Sequence, residues 1–143
     1  MTTSDDETTE VTKVTKRVHL VRAYFDACTS GRAEDIASCF TEHAVIYDTN
    51  HPPVRGRSAI GAFWTGVRDR WAGAAWIVDS GIEEGDLTAV EWTMSGYSER
   101  GPFAFRGSEH YRFEGDLIAE IRQYWTFDAE EPGSELLGYP YTR

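Results

Sequence analysis

The chain has 143 residues and a mass of 16.1 kDa, which is one domain's worth and enough to bury roughly two thirds of the unfolded surface. Its 14 basic and 24 acidic residues give a net charge of −10 with no basic patch, a balance that argues against nucleic-acid partners. No apolar run approaches the ~18 residues of a membrane span, and the acidic start, Met1 to Glu10, lacks the positive end of a secretion signal, so neither membrane insertion nor export is expected.

Residues 1–10 are expected to be disordered and residues 11–143 to form a single domain. From Val11, apolar residues recur every three or four positions (Val11, Val14, Val18, Val21, Phe25, Cys28), which predicts a helix of about five turns ended by Gly31. A second, short helix is read from the stripe Ala33, Ile36, Cys39 and Phe40. Cys28 and Cys39 both fall on these helices as free thiols, so a disulfide framework is not expected and a reducing cytoplasm is. Ala44 to Asp48 is a β-rich run, ended by the loop Thr49-Asn50-His51-Pro52-Pro53. A third helix carries Ile60, Phe63, Trp64, Val67 and Trp71, with Ser58 as its cap and Gly73 at its end. Four strands follow, Ala75–Asp79, Leu87–Tyr97, Phe103–Phe113 and Leu117–Phe127, separated by glycine turns at Gly85, Gly101 and Gly115; Glu130 to Arg143 shows no period. The order α-α-β-α-β-β-β-β predicts an α+β domain, three helices over a strongly curved, mainly antiparallel sheet.

Period two places Glu109, Tyr111 and Phe113 on one face of their strand, and Ile121, Gln123 and Trp125 on one face of the next. Taken as inward, Glu109 and Gln123 become polar groups in a mostly apolar pocket. A bland alternative stands beside each candidate. Glu109 at a sheet edge would pair with Arg112 or Arg106, Asp48 before Asn50 is a common turn former, Tyr24 on its helix is ordinary core, and His51 beside two prolines is a solvated loop residue. His19, His43, His51 and His110 show no metal-ligand spacing, and there is no GxSxG, CxxC or glycine-rich phosphate loop, so neither metal nor organic cofactor is expected.

Three stretches, Ala23-Tyr24-Phe25-Asp26-Ala27, Cys39 to Asp48, and Gly56-Arg57-Ser58-Ala59-Ile60, resemble the nuclear transport factor 2-like superfamily and its SnoaL-like branch; the likeness spans Val14 to Phe127. Within it the chain resembles the ketosteroid isomerases. The resemblance implies that Asp48 is a general base, and that Tyr24 and a protonated Glu109, in Glu109-His110-Tyr111-Arg112-Phe113, donate to an enolate oxygen. Glutamate replaces the family's aspartate at 109, and Trp64 stands at the place of a second tyrosine.

The fold it implies is a cone-shaped α+β domain whose pocket is lined by Tyr24, Phe40, Asp48, Phe63, Trp64, Trp92, Tyr111, Gln123 and Trp125. The ligand expected is a neutral, apolar, multi-ring or terpenoid-sized molecule bearing oxygen. The same branch offers polyketide cyclases, closing rings by aldol chemistry, and epoxide hydrolases, which use an arginine with their carboxylates; no inward arginine placed between two carboxylates is read here, which lowers the hydrolase reading. A non-catalytic binding or dimerisation module is the alternative of another class. A homodimer is expected through the outer sheet face, where His110, Arg112, Arg122 and Tyr124 lie.

Overall fold

The computed structural model describes residues 16–125, 136 and 138–140, so the expectation for residues 1–10 and most of the aperiodic tail fall outside them. The elements are α1 (Lys16–Ser30), α2 (Ala33–Ala37), β1 (Phe40–Asp48), β2 (Val54–Arg55), α3 (Arg57–Arg70), β3 (Ala72–Glu84), β4 (Leu87–Ser98), β5 (Gly101–Glu114) and β6 (Leu117–Trp125). The strands form one open six-stranded mixed sheet of order β2-β1-β6-β5-β4-β3, with α3 inserted between β2 and β3 in the chain.

Helix α1 buries Val18, Val21, Tyr24, Phe25 and Cys28, the stripe that its period demands. Its unpaired ends are served from elsewhere in the fold. The Arg17 and Val18 N–H groups donate to Glu83 Oε1 of β3 at 2.8 and 3.2 Å, and Arg68 of α3 donates to the Cys28 and Gly31 carbonyls at 3.1 and 2.7 Å. Helix α2 stops at Ala37 instead of running to Phe40. The reason is tertiary: the Cys39 carbonyl accepts the Ile118 N–H at 2.9 Å and Phe40 pairs with Ile118, which leaves Cys39 in the turn and starts β1 at Phe40. Helix α3 is capped at Gly56, with Ser58 already inside its first turn. The Gly56 N–H donates to the Ala44 carbonyl at 2.8 Å and its own carbonyl accepts the Ile60 N–H at 3.0 Å, so one residue ties the helix start to β1.

β3, β4, β5 and β6 are consecutive antiparallel neighbours, whereas β1 lies parallel to β6. Alternation holds on the inner face: Val90, Trp92 and Met94 of β4, Glu109, Tyr111 and Phe113 of β5, and Ile121 and Gln123 of β6 are buried. Glu109 and Gln123, only 3% and 6% exposed, stand directly opposite one another in register. No described helix is long and apolar enough to cross a membrane.

Helices α2 and α3 meet backbone to backbone at Gly61. A Cβ there would lie 2.4 Å from the Ala33 carbonyl oxygen and 3.1 Å from its carbonyl carbon. Gly61→Ala should therefore destabilise the fold by about 1–3 kcal/mol through overpacking, outweighing the ~1 kcal/mol that alanine gains in helix propensity. Thermal unfolding checks this, and an unchanged or raised midpoint would contradict it.

Candidate active site

Between α3 and the inner face of the sheet lies a cavity of about 210 Å³. All five tryptophans of the chain line it: Trp64 of α3, Trp71 just beyond that helix, Trp76 of β3, Trp92 of β4 and Trp125 of β6, joined by Phe63, Phe103 and Phe105. The rings pack edge to face, with centroids 4.9 Å apart for Phe63 and Trp64, 5.7 Å for Trp64 and Trp76, 5.1 Å for Trp71 and Phe103, and 5.7 Å for Trp92 and Phe105. Such contacts each contribute ~0.5–1.5 kcal/mol beyond area burial and set the shape of the empty cavity. Trp92 can lie against β5 because its register partner is Gly107, where a Cβ would come within 2.2 Å of the indole Cζ2.

Asp48 ends β1 at this wall. Its Oδ1 accepts the Thr49 backbone N–H at 2.9 Å, Gln123 Nε2 at 2.9 Å and Trp125 Nε1 at 2.6 Å; among the described residues none donates to Oδ2. The Thr49 bond is the local one that a turn-forming aspartate makes. The other two come from residues 75 and 77 positions away, and give this carboxylate a tertiary role as well. Burial raises its pKa above the usual carboxylate range, while the Trp125, Thr49 and Gln123 donors and nearby His51 pull it back. Thr49 adds two bonds, donating from Oγ1 to the Gln123 carbonyl at 3.0 Å and accepting the Trp125 N–H at 3.2 Å.

Glu109 lies deeper. It is not paired with either arginine weighed for it: Arg112 meets Glu114 at 3.3 Å and Arg106 meets Asp79 at 3.1 Å, both on the outer side. Its Oε2 instead accepts the Tyr111 hydroxyl. Burial pushes the Glu109 carboxyl up to about 8, with Tyr111 opposing and the Asp48 charge adding to the rise, so this acid is neutral at pH 7. Tyr24, edge-on to Phe40 at 5.1 Å, is likewise raised well above the ordinary phenol value, first by burial and then by Cys28 and Glu109.

The residues expected at one pocket are thus divided between two spaces. Asp48, Phe63, Trp64, Trp92, Gln123 and Trp125 line the cavity. Tyr24 and Glu109, with Cys28, border a void of only about 10 Å³ whose other walls include Trp64 and Trp76, and these two indoles belong to both spaces. Phe40 and Tyr111 line neither: Phe40 is core against Tyr24, and Tyr111 supports Glu109. Sequence reasoning overlooked Val67, Trp71, Trp76, Met94, Phe103 and Phe105 as lining residues. Phe103 and Phe105 share the parity of Glu109, so extending the same period-two count along β5 would have found them. Arg70, exposed at the end of α3 on the cavity rim, carries no such signal.

The sequence matches the SnoaL-like domain family over residues 21–121. No curated protein matches it. Several solved structures share its fold. One is a protein with a ketosteroid isomerase-like fold from Catenulispora acidiphila, in complex with trimethylamine (TM-score 0.70, 18% identity, 75% of this chain and 85% of that one covered). Another, from Jannaschia sp. CCS1, is named for SnoaL-like polyketide cyclases (TM-score 0.68, 15% identity, 78% and 85%). A third is the epoxide hydrolase/cyclase-like enzyme SalBIII of pyran ring formation in the polyether salinomycin (TM-score 0.67, 19% identity, 78% and 91%). At these identities the likeness is one of fold.

The state of Glu109 has a measurable consequence. Below its unfolded value near 4.5 the carboxyl is protonated in both states and adds no pH dependence. Between 4.5 and about 8 the unfolded chain releases the proton while the folded one keeps it, so stability falls as pH rises, by up to ~1.4 kcal/mol per pH unit, and levels off above. Urea midpoints measured across this window should decline in the wild type and decline less in Glu109→Gln; parallel curves would show that Glu109 is ionised in the fold.

Proposed function

The chain belongs to the SnoaL-like family, and from the geometry of its cavity we propose that it is an enzyme acting on a neutral carbonyl compound by general acid–base chemistry, with proton transfer through an enolate. The observation that carries this reading is the state of Asp48: one carboxylate oxygen is pinned by three donors, and the other has no donor among the described residues, at the wall of an aromatic cavity. Pinning Oδ1 fixes the direction in which Oδ2 accepts a proton, and the partial burial that raises its pKa makes it a stronger base than a solvated aspartate.

In this scheme a C–H proton next to a carbonyl passes to Asp48, and the carbonyl oxygen takes up the negative charge. Tyr24 and Glu109 are assigned to that oxygen, because both keep their protons at neutral pH and so can donate. They stand behind Trp64 and Trp76, so Trp64, which borders both spaces, is the side chain whose rotation would bring substrate and donors together. Carboxylate–arginine activation of water is less well supported: Arg70 reaches the rim, but no arginine is among the groups that shift Asp48.

Self-association belongs to the same proposal. The sheet face opposite the cavity presents Tyr47, Ile77, Tyr97 and Tyr124, between 41% and 59% exposed, with His110 edge-on to Tyr124. Apolar and aromatic side chains on an uncovered sheet face suit a twofold interface. Sedimentation at micromolar concentration should give about twice the 16.1 kDa chain mass, and a clean monomer would exclude the dimer.

Deuterium uptake next to the carbonyl, followed by NMR across a panel of cyclic ketones, tests the chemistry. Asp48→Asn should slow exchange by about 10²–10⁴ while ligand binding persists. Glu109→Gln, still a donor, should keep part of the rate, and Tyr24→Phe should cost about 3 kcal/mol of transition-state stabilisation. Equal exchange in all three variants would leave only the role of a binding module.

A further inference from the structure

Three polar atoms on residues of the cavity wall are closed off from solvent and have no hydrogen-bond partner among the described residues: the indole nitrogens of Trp64 and Trp92, and Gln123 Oε1. Their residues are 6%, 2% and 6% exposed. Leaving such a group unpaired costs on the order of 1–3 kcal/mol, so three around one cavity need an explanation. The chemistry of each is settled by its neighbours. An indole N–H can only donate, and the contrast is Trp125, whose N–H is already engaged by Asp48. Gln123 turns its nitrogen to Asp48, which as a carboxylate only accepts, and Oε1 is left as an acceptor with nothing to accept.

We propose that Trp64, Trp92 and Gln123 determine specificity: the cavity takes a cyclic hydroxy-ketone, whose acceptor oxygen answers the indole N–H groups and whose hydroxyl donates to Gln123 Oε1. This rests on the cavity being the substrate site, as proposed above, but not on Asp48 being the base. Both residues line the cavity while their N–H groups are closed off within the wall, so the assignment has these side chains turn on binding to bring the donors onto the ligand's oxygen. Size sets a further limit. About 210 Å³ exceeds the ~150 Å³ that holds a benzene but falls short of the ~300–1,000 Å³ of drug-sized sites. One or two fused rings fit inside, and any larger ligand must project past the rim, where Arg70 stands.

Three probes on one bicyclic frame test this with the full chain, by calorimetry or by quenching of tryptophan fluorescence: tetralin, 1-tetralone and 5-hydroxy-1-tetralone. A cavity offering no polar partners would rank tetralin tightest, since it gives up the least hydration. The expected order is the reverse, with Kd falling about tenfold at each added oxygen. Gln123→Leu should abolish the preference for the hydroxy-ketone over the ketone, and Trp92→Phe should weaken the preference for the ketone over tetralin. Tetralin binding as tightly as the others, or no binding by any probe, overturns the proposal. So does an unchanged hydroxyl preference in Gln123→Leu. If a variant fails to fold, the wild-type ranking decides alone. The expected ranking together with undiminished proton exchange in Asp48→Asn would leave this assignment standing and remove the base.

Discussion

The site depends on one pairing, the parallel alignment of β1 with β6. It sets Asp48 beside Gln123 in register and brings the Trp125 indole within 2.6 Å of the same carboxylate oxygen. These partners are 75 and 77 residues from Asp48 in the chain, so a large loop must close before any of these bonds form. The pairing also shapes the helices above it, because Ile118 pairs with Phe40 in the sheet, donates to the Cys39 carbonyl and so ends α2 early. The result is a carboxylate held from three directions at a strand end, and rigid elements orient such a group better than a loop would.

Around that anchor the fold separates two carboxyl groups by environment. Two acids near an apolar core cannot both ionise cheaply, and the Asp48 charge itself helps to raise Glu109. Asp48 has three donors and a partly open setting; Glu109 has a phenol and complete burial. The difference in solvation assigns the charge to the first and the proton to the second. Gln123 stands between them in register, paired with Asp48 on one side and Glu109 on the other, so the two groups feel each other electrostatically while bordering different spaces.

The aromatic wall explains how a cavity survives at all in a domain of this size. Rigid rings meeting edge to face cannot collapse into the space as flexible aliphatic chains would, and the concave shape is kept without a ligand. Gly107 is part of the same device, since any side chain there would displace Trp92. Rigidity has a cost in polar satisfaction: indoles placed by packing leave two N–H groups unpaired.

Apart from the two-residue β2, which pairs with β1 through a contact no local pattern shows, the order of elements and the inward direction of Glu109 and Gln123 were legible in the amino-acid sequence, because helix and strand periods are local and the side-chain alternation of a strand leaves only two choices. The identity of Asp48 as a strand-end carboxylate was legible for the same reason, as the β-rich run stops at two prolines. Local pattern could not decide whether Cys39 and Phe40 close a helix or open a strand, since their apolar character suits both and the Ile118 contact that settles it is made from the far end of the chain. Nor could it divide the candidate residues. Tyr24, Asp48 and Glu109 share a polar character and a general location, but whether they face one space depends on where Trp64 and Trp76 come to rest. That is a matter of three-dimensional packing between a helix and a strand, which no spacing along the chain encodes.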